Sequence, residues 1–239
     1  MFNPNPQLQI IQFDHRHRCI VVDDALIAPQ KLRQFAVAQR SAFRPVDFNA
    51  YPGVYLPVSQ ELAAGLDAFF RQYVRSLFDA RRLLQMHVRF SMVTLPPDAL
   101  RPYQWLCHSD NNGVAPQESI QASVLYLFDD ENLGGTSFYE AIRPADEMAV
   151  LFNDATRLSG DAFTERYGIK PGYMLGSNRY FARVGGIPAK WNRMIFYDGS
   201  LLHSGDILAP EKLSGDPAAG RLTLNGFFTC SRSAATKSL

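Results

Sequence analysis

The chain has 239 residues, 46% of them hydrophobic and 20% charged, which is enough length and apolar content to bury a full core and excludes general disorder. Its 24 Lys and Arg almost balance 23 Asp and Glu, so no net field attracts nucleic acid or an anionic bilayer, and a partner must be recognised by a local site. Cys19, Cys107 and Cys230 are widely spaced with no CxxC pair, which argues against a disulfide framework or a thiolate zinc site, while the lack of a long apolar run or a signal-like start predicts a cytoplasmic protein with reduced thiols.

No fixed-period repeat, low-complexity tract or long linker divides the chain, so a single domain over residues 1–239 is expected. After the apolar run "CIVVDDAL", Pro29 suits the first turn of a helix whose Leu32, Phe35 and Ala36 share a face. The "YPGVYLP" stretch, Tyr51 to Pro57, is rigid and aromatic and reads equally as a packed loop or as a wall of a substrate groove. A second helix is expected from Ser59 to about Ala80, where apolar residues recur at three and four. Residues 1–83 are thus expected to form an amino-terminal helical support region.

From about Leu84 the pattern changes to short runs of β-branched and aromatic residues separated by Pro, Gly and Asn. Strands are expected in "MHVRFSMVTL", "SIQASVLYLF", "GTSFYEA", "NRYFARV", "WNRMIFYD" and "RLTLNGFFTC". Helices followed by short strands predict an α+β fold built on an antiparallel sandwich or barrel across residues 84–230. A helical stretch, "EMAVLFNDATRLSGDAFTERYGI", interrupts the strands and belongs to an insertion of about 145–190 of the kind that becomes a lid or binding surface, and Arg157 to Trp191, about thirty-five residues, is where substrate choice is expected to lie. Trp191, Phe196, Phe227 and Phe228 are expected in the core, Asn192 and Arg193 at a solvated strand edge, and Cys107 as a small buried hydrophobe.

The "HSD" at 108–110 carries the first chemical signal. In an extended segment residues two apart project to the same side, so His108 and Asp110 make a two-toothed clamp suited to ferrous iron once a second histidine joins them. His15 and His17 lie in a polar amino-terminal stretch and His87 begins an apolar strand, which leaves His203 in "FYDGSLLHSGDI". A lone HxD is weak evidence. Arg221, eighteen positions after His203, shares a strand face with Thr223, and a guanidinium among apolar residues calls for a bidentate anion such as a dicarboxylate.

Four pieces in this order, "HSD" at 108–110, "LGGTSFYE" at 133–140, "NRMIFYDGSLLHSG" at 192–205 and "RLTLNGFF" at 221–228, resemble the iron(II)/2-oxoglutarate-dependent oxygenases, in particular their prolyl-hydroxylase-like branch. The resemblance covers roughly residues 84–230. It implies a double-stranded β-helix (jelly-roll, cupin-like) with the amino-terminal helices packed on one sheet, and His108, Asp110 and His203 as iron ligands. It further implies that Arg221 holds the distal carboxylate of 2-oxoglutarate with Thr223 assisting, and that O2 is consumed as a hydroxylase releases succinate and CO2. Where that pattern carries a tyrosine shortly before the HxD, this chain has Trp105 three positions and Tyr103 five positions before His108, and Tyr103 is the candidate cosubstrate contact.

The expected substrate is a peptide side chain or a small metabolite, with no nucleic acid or membrane partner and with sheet edges that would suit a homodimer. Two alternatives remain open. A cupin-type metalloenzyme would prefer HxH and a following glutamate, which "HSD" lacks, and a non-catalytic jelly-roll binding module would need none of the four groups intact.

Overall fold

In the computed structural model the described residues are 1–14, 17–45, 51–111 and 113–232. His15 therefore lies outside them. The strands are β1 (Leu8–Gln12), β2 (Arg18–Val22), β3 (Arg44–Pro45), β4 (Gly53–Pro57), β5 (Arg82–Val93), β6 (Glu118–Tyr126), β7 (Thr136–Ala141), β8 (Phe181–Ile187), β9 (Met194–Asp198), β10 (Leu202–Gly205) and β11 (Arg221–Ser231). They form an eight-stranded sheet in the order β1-β2-β9-β6-β11-β5-β4-β3 and a three-stranded sheet, β10-β7-β8, with antiparallel pairing between the neighbours. Among the described residues the strands form two separate sheets and no closed barrel.

Strand alternation sends side chains to opposite faces and so builds separate layers. On one face of the large sheet, Ile20, Phe90, Phe196, Leu224 and Phe228 pack against helix α2 (Gln60–Phe69) through Leu62, Leu66 and Phe69, with Leu32 and Ala36 of α1 (Pro29–Ala38) in the same cluster. On the other face Cys19, Ala122, Tyr126, Ile195 and Tyr197 pack against Phe138 and Ile187 of the small sheet. The outer side of the small sheet, through Tyr139 and Phe181, is covered by α3 (Ala145–Arg157) and α4 (Gly160–Tyr167).

Local chemistry accounts for the helix ends. Pro29 opens α1, and the Ser59 hydroxyl accepts from Leu62 N at 3.2 Å to cap α2. The second helix is not α-helical to Ala80: it ends at Phe69 and widens into a π turn over Phe70–Val74 before a 3-10 turn at Arg75–Leu77. The wider turn accompanies burial of the consecutive Phe69 and Phe70, which a regular α-helix would splay by 100°. The helical stretch after residue 145 is likewise two helices, because Ser159 caps a new start by accepting from Ala162 N.

Two boundaries differ from the sequence reading. Residues 1–83 are not only helical, since β1 to β4 extend both edges of the large sheet, with β2 on β9 and β4 on β5. The segment 145–190 is not wholly an addition either, because it includes β8, which pairs with β7. Asn192 and Arg193 are also not solvated edge residues. Asn192 is buried at φ +61°, its side chain accepting from Leu26 N at 3.0 Å and donating to Leu26 O at 2.9 Å, and Arg193 pairs with Asp23 at 2.6 Å. Among the described residues no helix is long and apolar enough to cross a membrane.

Candidate metal centre and cavity

His108 and His203 lie directly opposite one another. Each backbone N–H donates to the other residue's carbonyl, at 3.0 and 2.8 Å, which is the hydrogen-bonded pair of an antiparallel ladder. Opposed residues in such a pair share a face, and the ring centroids lie 4.5 Å apart. Asp110 joins them two residues on, held by its N–H donating to Gly199 O at 2.7 Å. Its carboxylate oxygens lie 3.9 Å from His108 Nε2 and 3.4 Å from His203 Nε2. One ligand atom from each of the three residues falls within 4.8 Å of the others.

The protonation states favour a cation. His203 Nδ1 lies 2.8 Å from Leu201 O, an acceptor only, so Nδ1 carries the proton and Nε2 offers its lone pair. Burial lowers the His203 pKa to about 4, and His108, desolvated and beside the other imidazole, also falls to about 4. His108 has 53% of its side chain accessible and lines the adjoining cavity. Burial raises Asp110 to about 6, opposed by the charges of His108 and Arg89, and its Oδ2 is buried with no hydrogen-bond partner. An orphaned carboxylate oxygen facing two neutral imidazole nitrogens has the donor set of a divalent metal site.

A cavity of about 330 Å³ adjoins these groups. Arg221 and Thr223, on the cavity-facing side of β11, form part of its wall, and Tyr103 enters from the short turn Pro102–Gln104. Arg221 is 5% exposed and has no carboxylate within ion-pair distance among the described residues. Its Nε donates to Leu133 O at 2.9 Å and Gly134 O at 3.1 Å, and Nη2 to Gly135 O at 2.8 Å, whereas Nη1 has no hydrogen-bond partner among the described residues. The glycine pair makes this cradle. A Cβ at Gly134 (φ +80°) would sit 1.3 Å from Asp206 O, and one at Gly135 would sit 2.0 Å from Ile187 O. Thr223 Oγ1 donates to Ser91 O at 3.3 Å.

Among the other wall residues, Tyr173 and Tyr197 carry no individual signal in the sequence, whereas the stretch that holds Tyr51 and Tyr55 reads equally as a packed loop or a groove wall. Tyr197 sets its ring edge against His203 with centroids 4.8 Å apart, and burial raises its pKa well above the usual phenol value, so it remains a neutral donor. Tyr51 and Tyr55 of the "YPGVYLP" stretch and Tyr173 of the insertion complete an aromatic wall. Phe227 lines the cavity as well, unlike Phe196 and Phe228, which are core, and Trp191, which packs against the core. Its even spacing from Arg221, Thr223 and Asn225 along β11 was the available clue. Cys107 is fully buried with its thiol pKa pushed up, and His17 lies apart from this centre, beside Asp14 and Glu140.

The profile of the Family of unknown function (DUF6445) matches residues 4–228, and the chain belongs to that family. No curated protein matches it by sequence. Among solved structures it is similar to SnoK, a non-heme alpha ketoglutarate dependent carbocyclase from nogalamycin biosynthesis, with TM-score 0.52 and 11% identity over 92% of this chain and 84% of that one. HygX from Streptomyces hygroscopicus, with nickel and 2-oxoglutarate bound, gives a TM-score of 0.46 and 10% identity over 90% of this chain and 83% of that one. The likeness to SnoK is one of fold.

Proposed function

We propose that this member of the family is an iron(II)- and 2-oxoglutarate-dependent dioxygenase that hydroxylates a small molecule or a peptide side chain. The observation that carries the reading is the opposed imidazole pair closed by the unpartnered Asp110 oxygen, at a cavity that also holds a buried guanidinium. In this reading His108, Asp110 and His203 hold the metal and the two sheets are the halves of a double-stranded β-helix. The prolyl-hydroxylase-like placement rests on the order of the motifs.

Iron and 2-oxoglutarate, when bound, supply the oxidising chemistry: O2 and substrate C–H are converted to a hydroxyl group as the cosubstrate becomes succinate and CO2. The chain's residues bind and orient. Arg221, fixed by the carbonyls of Leu133, Gly134 and Gly135, offers Nη1 to the distal carboxylate, with Thr223 and Tyr103 as further polar contacts. The Leu201 carbonyl keeps the proton on His203 Nδ1, and the aromatic wall limits water around the reacting carbon.

The test is anaerobic titration with Fe(II) and 2-oxoglutarate, read as a weak visible charge-transfer band. Asp110→Ala should abolish the band, whereas Arg221→Gln should retain metal binding and weaken 2-oxoglutarate at least tenfold. A protein that binds metal but gives no band and no 2-oxoglutarate dependence would be a cupin-type metalloenzyme; one that binds neither would be a jelly-roll binding module.

A further inference from the structure

The glycine cradle that holds Arg221 is itself held from outside the cavity. Gly135 O accepts twice, from Arg221 Nη2 at 2.8 Å and from Asp206 N at 3.1 Å. Gly134 packs on the same aspartate, so closely that a Cβ there would lie 1.3 Å from Asp206 O. The place of Asp206 thus fixes where Gly135 O points, and Gly135 O fixes where one arm of the guanidinium sits.

Asp206 is tied down in turn by two side chains of the small sheet. Its Oδ2 accepts from Ser137 Oγ at 2.7 Å, and Ser137 Oγ accepts from Arg183 Nε at 2.7 Å, with Arg183 Nη2 3.9 Å from the carboxylate. Ser137 is fully buried on the central strand β7. Its partner on β8 is Gly186, which leaves the space that the guanidinium takes, since a Cβ there would lie 2.4 Å from Arg183 Nη2. Strand alternation puts this network on the far side of the sheet from the cosubstrate seat: Thr136 lines the cavity and Ser137, next to it, points away.

The network has one weak point. A serine hydroxyl has a single proton, and Ser137 gives it to Asp206 while Arg183 occupies a lone pair, so the polarity of the chain is set. The other carboxylate oxygen, Oδ1, is buried with no hydrogen-bond partner. Among the described residues Ser137 is therefore the hydrogen-bond donor on which the Asp206 side chain depends. A buried carboxylate with so little support is costly to the fold, and it lies directly behind the loop that orients Arg221.

We propose that Asp206, set by Ser137 and Arg183, is a positioning residue that fixes Arg221 so that it selects the chain length of the 2-oxo dicarboxylate cosubstrate. A guanidinium takes a carboxylate through hydrogen bonds of about 2.7–2.9 Å. One methylene more or fewer moves the distal carboxylate by roughly 1 Å, so a guanidinium that is locked discriminates and one that can shift does not. The inference rests on the Arg221 seat of the proposed dioxygenase, and adds that the choice is made by side chains outside the cavity.

The experiment is calorimetric titration of the Ni(II)-loaded full chain with oxaloacetate, 2-oxoglutarate and 2-oxoadipate, which differ by one methylene each. The parent should bind 2-oxoglutarate at least tenfold more tightly than either neighbour. Ser137→Ala and Asp206→Ala should each reduce that preference at least fivefold while Ni(II) affinity stays within twofold of the parent. Asp206→Asn, whose side-chain oxygen still accepts from Ser137, should keep the preference of the parent to within twofold. Ser137→Ala carries the test alone should Asp206→Ala fail to fold. A parent that binds neither Ni(II) nor 2-oxoglutarate would sink the dioxygenase reading itself. With both bound, a parent without preference, alanine variants that keep it, an equal loss for all three acids, a parallel loss of Ni(II), or an asparagine variant as relaxed as alanine would overturn the positioning role alone.

Discussion

Asp110→Asn should make the metal-free protein more stable while removing its ability to gain stability from metal. The wild-type carboxylate is buried, lacks a partner for Oδ2 and has its pKa raised from 3.8 to about 6, so its charge is a cost to the folded state. At about 1.4 kcal/mol per pKa unit, that shift corresponds to at most about 3 kcal/mol. Asparagine keeps the shape without the charge, and its amide N–H can donate to His203 Nε2, which lies 3.4 Å from Oδ2 in the wild type. The sign fixes the pH window. Because the folded pKa lies above the unfolded one, the penalty is absent below pH 4, grows between pH 4 and 6, and is complete above pH 6. Chelated protein unfolded by urea at pH 8 should therefore show the variant ahead by about 1–3 kcal/mol, and at pH 4 the difference should vanish. With metal at about 100 times its Kd, the wild type should gain about 2.7 kcal/mol and the variant almost nothing. A variant less stable than wild type at pH 8, or a difference independent of pH, would refute this account of Asp110 as a charge held in reserve for a cation.

Metal affinity should fall about tenfold per pH unit below pH 6, as the metal competes with one proton on Asp110, and more steeply below about pH 4 as both imidazoles titrate; calorimetric titration across pH 4–8 checks this. Gly135→Ala should lose more than about 2 kcal/mol of stability and weaken 2-oxoglutarate binding, because the added Cβ meets Ile187 O at 2.0 Å and displaces a carbonyl that holds Arg221; urea unfolding and a 2-oxoglutarate titration read the two effects. Asn192→Ala should cost about 2–4 kcal/mol from two lost bonds to Leu26 and the strained φ, and Asn192→Gly should recover the backbone part alone, with Ni(II) affinity unchanged in both.

Where a segment carried its own periodicity, the sequence reading came close. The strands around β5, β6, β7, β9 and β11 were expected from alternation and turn residues, and the helices around α1 and α2 from spacing at three and four. What stayed hidden was structure defined by its neighbours. Strand β10 has four residues and little pattern, and exists because it pairs with β7; β4 is a five-residue strand ending in Pro57 that took its place only beside β5. The burial of Asn192 likewise depends on Leu26, which is 166 positions away in sequence.

The candidate site divides along the same line. The spacing of His108 and Asp110 is local and could be read directly, and His203 followed by elimination among few histidines. Arg89 and Asn225 become neighbours only once the register of β5 on β11 is known, and the phenols around the cavity arrive from four separate parts of the chain. Arg221 was legible as a guanidinium calling for a bidentate anion, but its partners among the described residues are the neutral carbonyls of the glycine loop, which no side-chain pattern announces.

The reciprocal backbone bonds between residues 108 and 203 locate the two imidazoles by main-chain pairing, before any rotamer is chosen. A slip of one residue would turn one ring to the opposite side, and the close approach of Gly199 to Asp110, 3.2 Å from an added Cβ to that of the aspartate, guards against it. In the proposed metal site the ring positions are thus set by the main chain and the negative charge by the side chain at 110, so the two can be varied separately.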